Sequence, residues 1–454
     1  MAISSFLLFL VLLSFFLPSI SSSPTSITIP ISLVNTKPYS DPYQKLKHLA
    51  SISLVRAHNL KTHKNVSFST IPLFPYSGAY SISLKFGTPP QSIPLIMDTG
   101  SSFSWFPCTK HYVCRNCTFS STGSGFITPF IPKQSSSAKI MGCQNPKCRW
   151  IHTAIDSHKE NCTQICPPYL ILYGLGSTGG IAMVETLDLP DKRMPNFAVG
   201  CSLFSSNQPD GVAGFGRGLS SLPSQLGVKK FSFCLLSHKF DNTDTNSILS
   251  MDYESNSGQK TGDLSYTPFL KNPVNPGNIA LSDYYYVGLR KITVGSKRVK
   301  VPYEYLSADS NGDGGTIVDS GSTFTYMKPA VFKLVMNAFV EQVKDYRRAE
   351  NVERQTGLRP CFNILRQKTV QLPELRLHFK GGAEMELPLE NYFLTADDNE
   401  VLATCFTMVT ANSFMGQELT GGPSIILGNF QMQNFHVEYD LRNERFGFIK
   451  RSCK

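Results

Sequence analysis

After residue 22, no stretch of this chain reaches the roughly 18 uninterrupted apolar residues that a membrane-crossing helix needs. The N-terminal apolar run, Phe6 to Leu17, is shorter than that. Pro18 and the small residues Ser19 and Ser21 follow it, so residues 1–22 read as a signal peptide. The chain ends FGFIKRSCK, which offers no hydrophobic tail to exchange for a lipid anchor. Dense basic runs are also missing. Six basic residues against Asp41 alone, between Pro24 and Pro75, carry five of the ten net positive charges. The remainder reads as a solvated surface, which argues against a nucleic-acid partner.

Cofactor and metal signatures are incomplete in the same way. The pair Cys114 and Cys117 has C-x-x-C spacing but no second pair and no histidines at ligand spacing. The segment DSNGDG, residues 309–314, begins like a calcium loop, yet its twelfth position is Ser320 where a Glu is needed. Gly174, Gly176 and Gly179 have dinucleotide-fingerprint spacing, but GIAMVETLDL after them reads as a strand, with no helix to hold a pyrophosphate. FGRG at residues 215–218 lacks the Lys-Ser/Thr ending of a phosphate loop, and the nine histidines pair with no Ser or Cys nucleophile motif. No metal and no cofactor are expected.

What is present points to export. Twelve cysteines are an even number, and eight lie close together: Cys108, Cys114, Cys117, Cys143, Cys148, Cys162, Cys166 and Cys201. In a secreted chain such a cluster serves as a disulfide framework. Glycosylation acceptors occur at Asn65, Asn116 and Asn161. Residues 41–61 have helix-favouring composition and a basic charge, which suggests a pro-segment over 23–75; a short helix of the mature protein is the alternative. From about Pro75 the texture becomes short alternating runs punctuated by Gly, Pro and Asn, the pattern of β-strands. One helix interrupts it from Pro329, with Phe332, Val335, Met336 and Phe339 at helical spacing.

The chain also repeats itself. PLIMDTGSSFSW, residues 94–105, ends an apolar run at Asp98 and continues into Thr99, Gly100 and Ser101. TIVDSGSTFTYM, residues 316–327, does the same with Asp319, Ser320, Gly321 and Ser322. Trp105 of the first stretch aligns with Tyr326 of the second. Val212, Ala213 and Gly214 follow the first acid turn, and Ile426, Leu427 and Gly428 follow the second. Two carboxyl groups held about 3 Å apart cannot both ionise cheaply, so such a pair shares a proton and supplies an acid and a base together.

These turns resemble those of the pepsin-like aspartic endopeptidases, and more closely their plant, nepenthesin-like branch, over Tyr80 to Cys453. The resemblance implies a mainly β, bilobal fold with two pseudo-symmetric lobes and a few short helices, residues 76–238 and 239–454. It assigns catalysis to Asp98 and Asp319. Support for the dyad falls to Thr99, Gly100, Ser101, Ser320, Gly321 and Ser322, and the flap Tyr to Tyr173 with Trp105 as its partner. Cys361 with Cys405 and Cys234 with Cys453 are the favoured pairings, the other eight cysteines closing among themselves.

The implied activity is peptide-bond hydrolysis at acidic pH by a secreted zymogen. Polypeptides are its substrates and pepstatin-type compounds its inhibitors. A monomer in the apoplast or cell wall is expected, with the vacuole as the other location. The rival is a catalytically silent binding protein on the same fold, of the glycosidase-inhibitor, storage or receptor-like kind.

Overall fold

A computed structural model of the chain describes residues 26–34, 41–62, 78–115, 117, 128–152, 164–172, 176–207, 210–237, 247–253, 263–275, 278–365, 367, 369–397, 401–411 and 421–453. Strands dominate. The alternating run YSISLKF forms the strand Tyr80–Phe86, in which Tyr80, Ile82, Leu84 and Phe86 are buried and the residues between them face outward. Among the described residues the strands build one 15-stranded sheet and smaller sheets of five, four and three strands. This is the mainly β, two-lobed architecture that the repeat implies.

The repeat is visible in strand register. Gln91–Asp98 runs parallel to Gly211–Gly214, with Asp98 opposite Gly214. Thr316–Asp319 runs parallel to Ile425–Gly428, with Asp319 opposite Gly428. A third strand then crosses antiparallel in each half, placing Trp105 opposite Val212 and Tyr326 opposite Ile426. Parallel strands in such a position need cover on both faces, and Gly211–Gly214, Thr316–Asp319 and Ile425–Gly428 are buried throughout. The helix Pro329–Gln342 starts on its proline and buries Val331, Phe332, Val335, Ala338 and Phe339.

The N-terminal segment is built into this framework at two points. Ser26–Leu33 lies between Ser247–Asp252 and Tyr80–Phe86, hydrogen-bonded to both, with Ile27, Ile29 and Ile31 in the core. The helix Pro42–Thr62 then packs onto the second half. Its Leu46, Leu49, Leu54 and Leu60 are buried in one apolar cluster with Tyr284, Phe324 and Tyr326. Polar contacts fix its register: Phe324 donates its N–H to Ser53 Oγ at 2.9 Å, and Lys61 Nζ donates to the Pro423 carbonyl at 2.7 Å. Tyr284 reaches the Leu60 carbonyl at 3.0 Å.

Disulfides join Cys108 to Cys201, Cys114 to Cys117, Cys148 to Cys166, Cys234 to Cys453, and Cys361 to Cys405. Cys143 is also disulfide-bonded, and Cys162 lies outside the described residues. The Cys108–Cys201 bond ties the start of the cysteine-rich insertion to the strand Lys192–Ser206 that follows it.

Candidate active site

Each acid turn folds back on its own carboxylate. Gly100 donates its N–H to Asp98 Oδ1 at 2.9 Å, and the Ser101 hydroxyl donates to Asp98 Oδ2 at 2.6 Å. The second turn is a near copy: Gly321 N–H reaches Asp319 Oδ1 at 3.0 Å and the Ser322 hydroxyl reaches Asp319 Oδ2 at 2.6 Å. Both carboxylates are buried, so these bonds replace the water they have lost.

The two turns are also bolted to each other. Ser320 N–H donates to Thr99 Oγ1 at 2.8 Å, and Thr99 N–H donates to Ser320 Oγ at 3.1 Å. The hydroxyls pass the bond on, Ser320 Oγ to the Met97 carbonyl at 2.9 Å and Thr99 Oγ1 to the Val318 carbonyl at 3.4 Å. Serine thus fills the second position as threonine fills the first, the hydroxyl being the part used. A Cβ on Gly100 would fall 2.6 Å from Asp319 Oδ1, and one on Gly321 would collide with Asp98 Oδ1. Each glycine leaves room for the opposite carboxylate.

Between the carboxylates sits Arg56, from the middle of the N-terminal helix. Its Nη2 donates to Asp98 Oδ1 at 2.6 Å and lies 3.3 Å from Asp319 Oδ1, while Nε donates to Asp319 Oδ2 at 3.0 Å. The charges titrate unequally. Burial pushes Asp98 up to about 6, with Arg56 opposing and Asp319 adding to the rise. Asp319 is equally buried, but the Arg56 ion pair and the bonds from Ser322 and Gly321 outweigh that and hold it below the usual carboxylate range. The site therefore keeps one carboxylate ionised and lets the other take a proton at mildly acidic pH.

Sequence reasoning did not single out Arg56, because Lys45, Lys47 and Lys61 share its helix and its charge. It also passed over Ser104 and Thr325, which lie six residues after each aspartate. Ser104 Oγ accepts the Gly214 N–H at 3.0 Å and Thr325 Oγ1 accepts the Gly428 N–H at 3.1 Å. Their equal spacing in the two copies was the available signal. Asn429 Nδ2 bonds the Ser320 and Gly78 carbonyls, a tertiary contact that no local pattern announces.

In the segment expected to form the flap, Tyr169–Leu172 pairs antiparallel with Ser177–Leu189, Leu172 opposite Ser177. Tyr173, together with Asn65, Asn116 and Asn161, lies outside the described residues. Tyr169 is at the other end of this pairing, buried with Trp105 in a small apolar cluster, its hydroxyl 2.6 Å from Ser202 Oγ. The DSNGDG loop closes on itself through Asp309 Oδ1, and Asp313 Oδ1 accepts the Gly422 N–H at 2.6 Å. Its carboxylates serve the turn.

The chain is similar to known proteins over most of its length. Residues 80–251 match the family described as Xylanase inhibitor N-terminal, and residues 284–450 match Xylanase inhibitor C-terminal. The chain is 32% identical to a probable aspartyl protease of Arabidopsis thaliana, covering 95% of this chain and 93% of that one. It is also 32% identical to aspartic proteinase nepenthesin-2 of Nepenthes gracilis, over 84% and 80% of the two chains. Among solved structures, edgp superposes with a TM-score of 0.63 at 21% identity, over 95% and 96% of the two chains. Conglutin gamma, a basic 7S globulin from lupine seeds, does so with 0.61 at 18% identity, over 94% and 96%. The chain belongs to the pepsin-like aspartic protease family, in its plant nepenthesin-like branch.

Proposed function

We propose that this protein is a secreted aspartic endopeptidase, made as an inactive precursor and released by acid. The observation that carries the reading is the convergence of Asp98 and Asp319, from the two copies of the repeat, on the single guanidinium of Arg56. A site that gathers two buried carboxylates at one point is built for shared-proton chemistry. With Arg56 withdrawn, a water bridging the carboxylates gives up a proton to the ionised member as it attacks the scissile carbonyl. The protonated member passes its proton to the carbonyl oxygen, giving a gem-diol with no covalent intermediate. The carboxyl that took the water's proton then protonates the peptide nitrogen as the C–N bond breaks, and its partner takes back a proton from a gem-diol hydroxyl as the carboxylic acid forms.

Asp98 and Asp319 are the catalytic pair, and Thr99, Gly100, Ser101, Ser320, Gly321 and Ser322 hold it. The flap Tyr173, working with Trp105, covers the bound peptide. Residues 1–22 are the signal peptide and 23–75 the pro-segment, whose helix blocks the site. The protein is exported to the extracellular space, glycosylated at Asn65, Asn116 and Asn161, and acts as a monomer on polypeptides. The test is to incubate the purified protein at about pH 3 to 5, where the dyad shares its proton, with a denatured protein substrate. Peptide release that pepstatin stops supports the reading, and no release at any pH in that range overturns it.

One observation favours a second reading, a silent binding protein. The helix Pro42–Thr62 buries most of one side in the core of the second half, so that its departure exposes Tyr284, Phe324 and Tyr326. In a binder the helix stays. Protein from which residues 23–75 have been cut away, still folded yet without proteolysis, is the result that selects this reading.

A further inference from the structure

Between Thr99 and Ile155 the sequence has six Lys and Arg and not one Asp or Glu. Among the described residues, none of these six basic side chains forms an ion pair with Asp98 or Asp319. Part of the stretch instead surrounds a cavity of about 580 Å³ on the outer face of the first lobe. Ile131, Pro132, Ile181, Met183 and Leu203 form apolar walls, and Lys110, His111, Lys133 and Lys139 line the same cavity. All four of these basic side chains are on exposed residues, and neither the acid turns nor the helix Pro42–Thr62 contributes to it.

The walls are held in place from behind. Cys201 lines the cavity, and its bond to Cys108 ties the Thr109–His111 side to the sheet. Thr109 N–H donates to the Phe130 carbonyl at 2.8 Å, and Ile131 N–H donates to Gln91 Oε1 at 2.9 Å. Ile181 and Met183 are two residues apart on one strand and so face the same way. A preformed apolar hollow with a few charged groups at its edge is the usual form of a small-molecule site, and those span roughly 300–1,000 Å³. A protein partner needs on the order of 1,000 Å² of matched surface, more than this hollow offers.

We propose that this cavity binds an amphiphilic carboxylate of medium chain length. Its alkyl body lies on Ile131, Ile181, Met183 and Leu203, and its anionic head sits among Lys110, Lys133 and Lys139. Charge complementarity makes the choice: an apolar ligand with a cationic head meets four basic residues and no acid.

The full-length protein is titrated calorimetrically with sodium dodecanoate below its micelle concentration, beside dodecyltrimethylammonium and acetate. The site predicts one saturable dodecanoate per chain, binding at least about tenfold tighter than the ammonium amphiphile, and no measurable acetate binding. The double variant Lys110→Glu/Lys139→Glu, both exposed, weakens dodecanoate roughly threefold to tenfold with an unchanged thermal midpoint. Ala138→Trp, which fills the cavity, abolishes saturation; should that variant fail to fold, the charge reversal decides. Unsaturable uptake, equal binding of the two amphiphiles, or indifference to the charge reversal overturns the proposal.

Discussion

Arg56 Nη2 donates to Asp98 Oδ1 at 2.6 Å, so the helix Pro42–Thr62 sets its guanidinium on a buried carboxylate of the first acid turn. The same guanidinium holds Asp319 through Nε at 3.0 Å. Arg56→Ala removes the cation that pairs with both buried carboxylates, and breaking such a pair costs about 3–5 kcal/mol. The docked helix is therefore weakened. The variant is expected to convert to active enzyme at a pH where the parent stays inactive, followed by N-terminal sequencing and peptide release over time. Conversion at the parental rate contradicts the role given to Arg56.

The pH at which the helix lets go follows from three groups. His48, buried on the helix, is lowered to about 4 by burial, so docking loses stability as pH falls from the ordinary histidine range towards 4. Its full share is on the order of 3 kcal/mol. Asp98 is raised to about 6, with burial the largest cause and Arg56 opposing; it stays in its turn when the helix leaves, so its contribution to docking is the Arg56 ion pair, which is lost as Asp98 takes a proton. Asp319 is depressed. Its pairing is present above the ordinary carboxylate range and is lost as pH falls through its lowered value. All three act in one direction, so docking weakens as pH falls below the ordinary histidine range. Release followed by hydrogen exchange of residues 42–62 should increase as pH falls from the ordinary histidine range towards about 4, and His48→Phe should lower its midpoint.

Thr99 and Ser320 exchange two hydrogen bonds between the acid turns. Ser320→Ala leaves the buried Thr99 N–H without its acceptor, at a cost of about 1–3 kcal/mol, and loosens the alignment of the carboxylates. Turnover should drop together with the melting temperature, and Ser320→Thr should restore both. Full activity in Ser320→Ala shows that the brace is dispensable.

The two flap-region tyrosines should separate cleanly. Tyr169 is buried with Trp105 and bonded to Ser202, so Tyr169→Ala is a large-to-small core change costing about 3–5 kcal/mol. Tyr173→Ala should leave thermal stability nearly unchanged and reduce turnover strongly, because its proposed work is on bound substrate. Melting curves and turnover on both variants check the contrast.

The acid turns were legible in the sequence because their chemistry is local. Asp-Thr/Ser-Gly-Ser after an apolar run fixes the turn, the carboxylate and its own hydrogen bonds within four residues, and repetition identified the pair. The apolar-apolar-Gly elements were legible for the same reason, and the register sets Gly214 opposite Asp98 and Gly428 opposite Asp319. Arg56 was not, since only the docking of a whole helix distinguishes it from its basic neighbours. The strand Ser26–Leu33 carried a period-two signal in Ile27, Ile29 and Ile31, but Pro30 argues against a strand with partners on both sides. The 580 Å³ cavity joins segments far apart in the chain, and its basic residues read singly as a solvated face.

Everything rests on Asp98 and Asp319 working as one unit. The direct measurement is turnover of a denatured protein by acid-treated Asp98→Asn and Asp319→Asn, beside the parent and with folding checked by circular dichroism. Each substitution removes half of one dyad, so each should lower turnover by roughly four orders of magnitude or more while the fold persists. Pepstatin-sensitive turnover near the parental level in either variant contradicts the account.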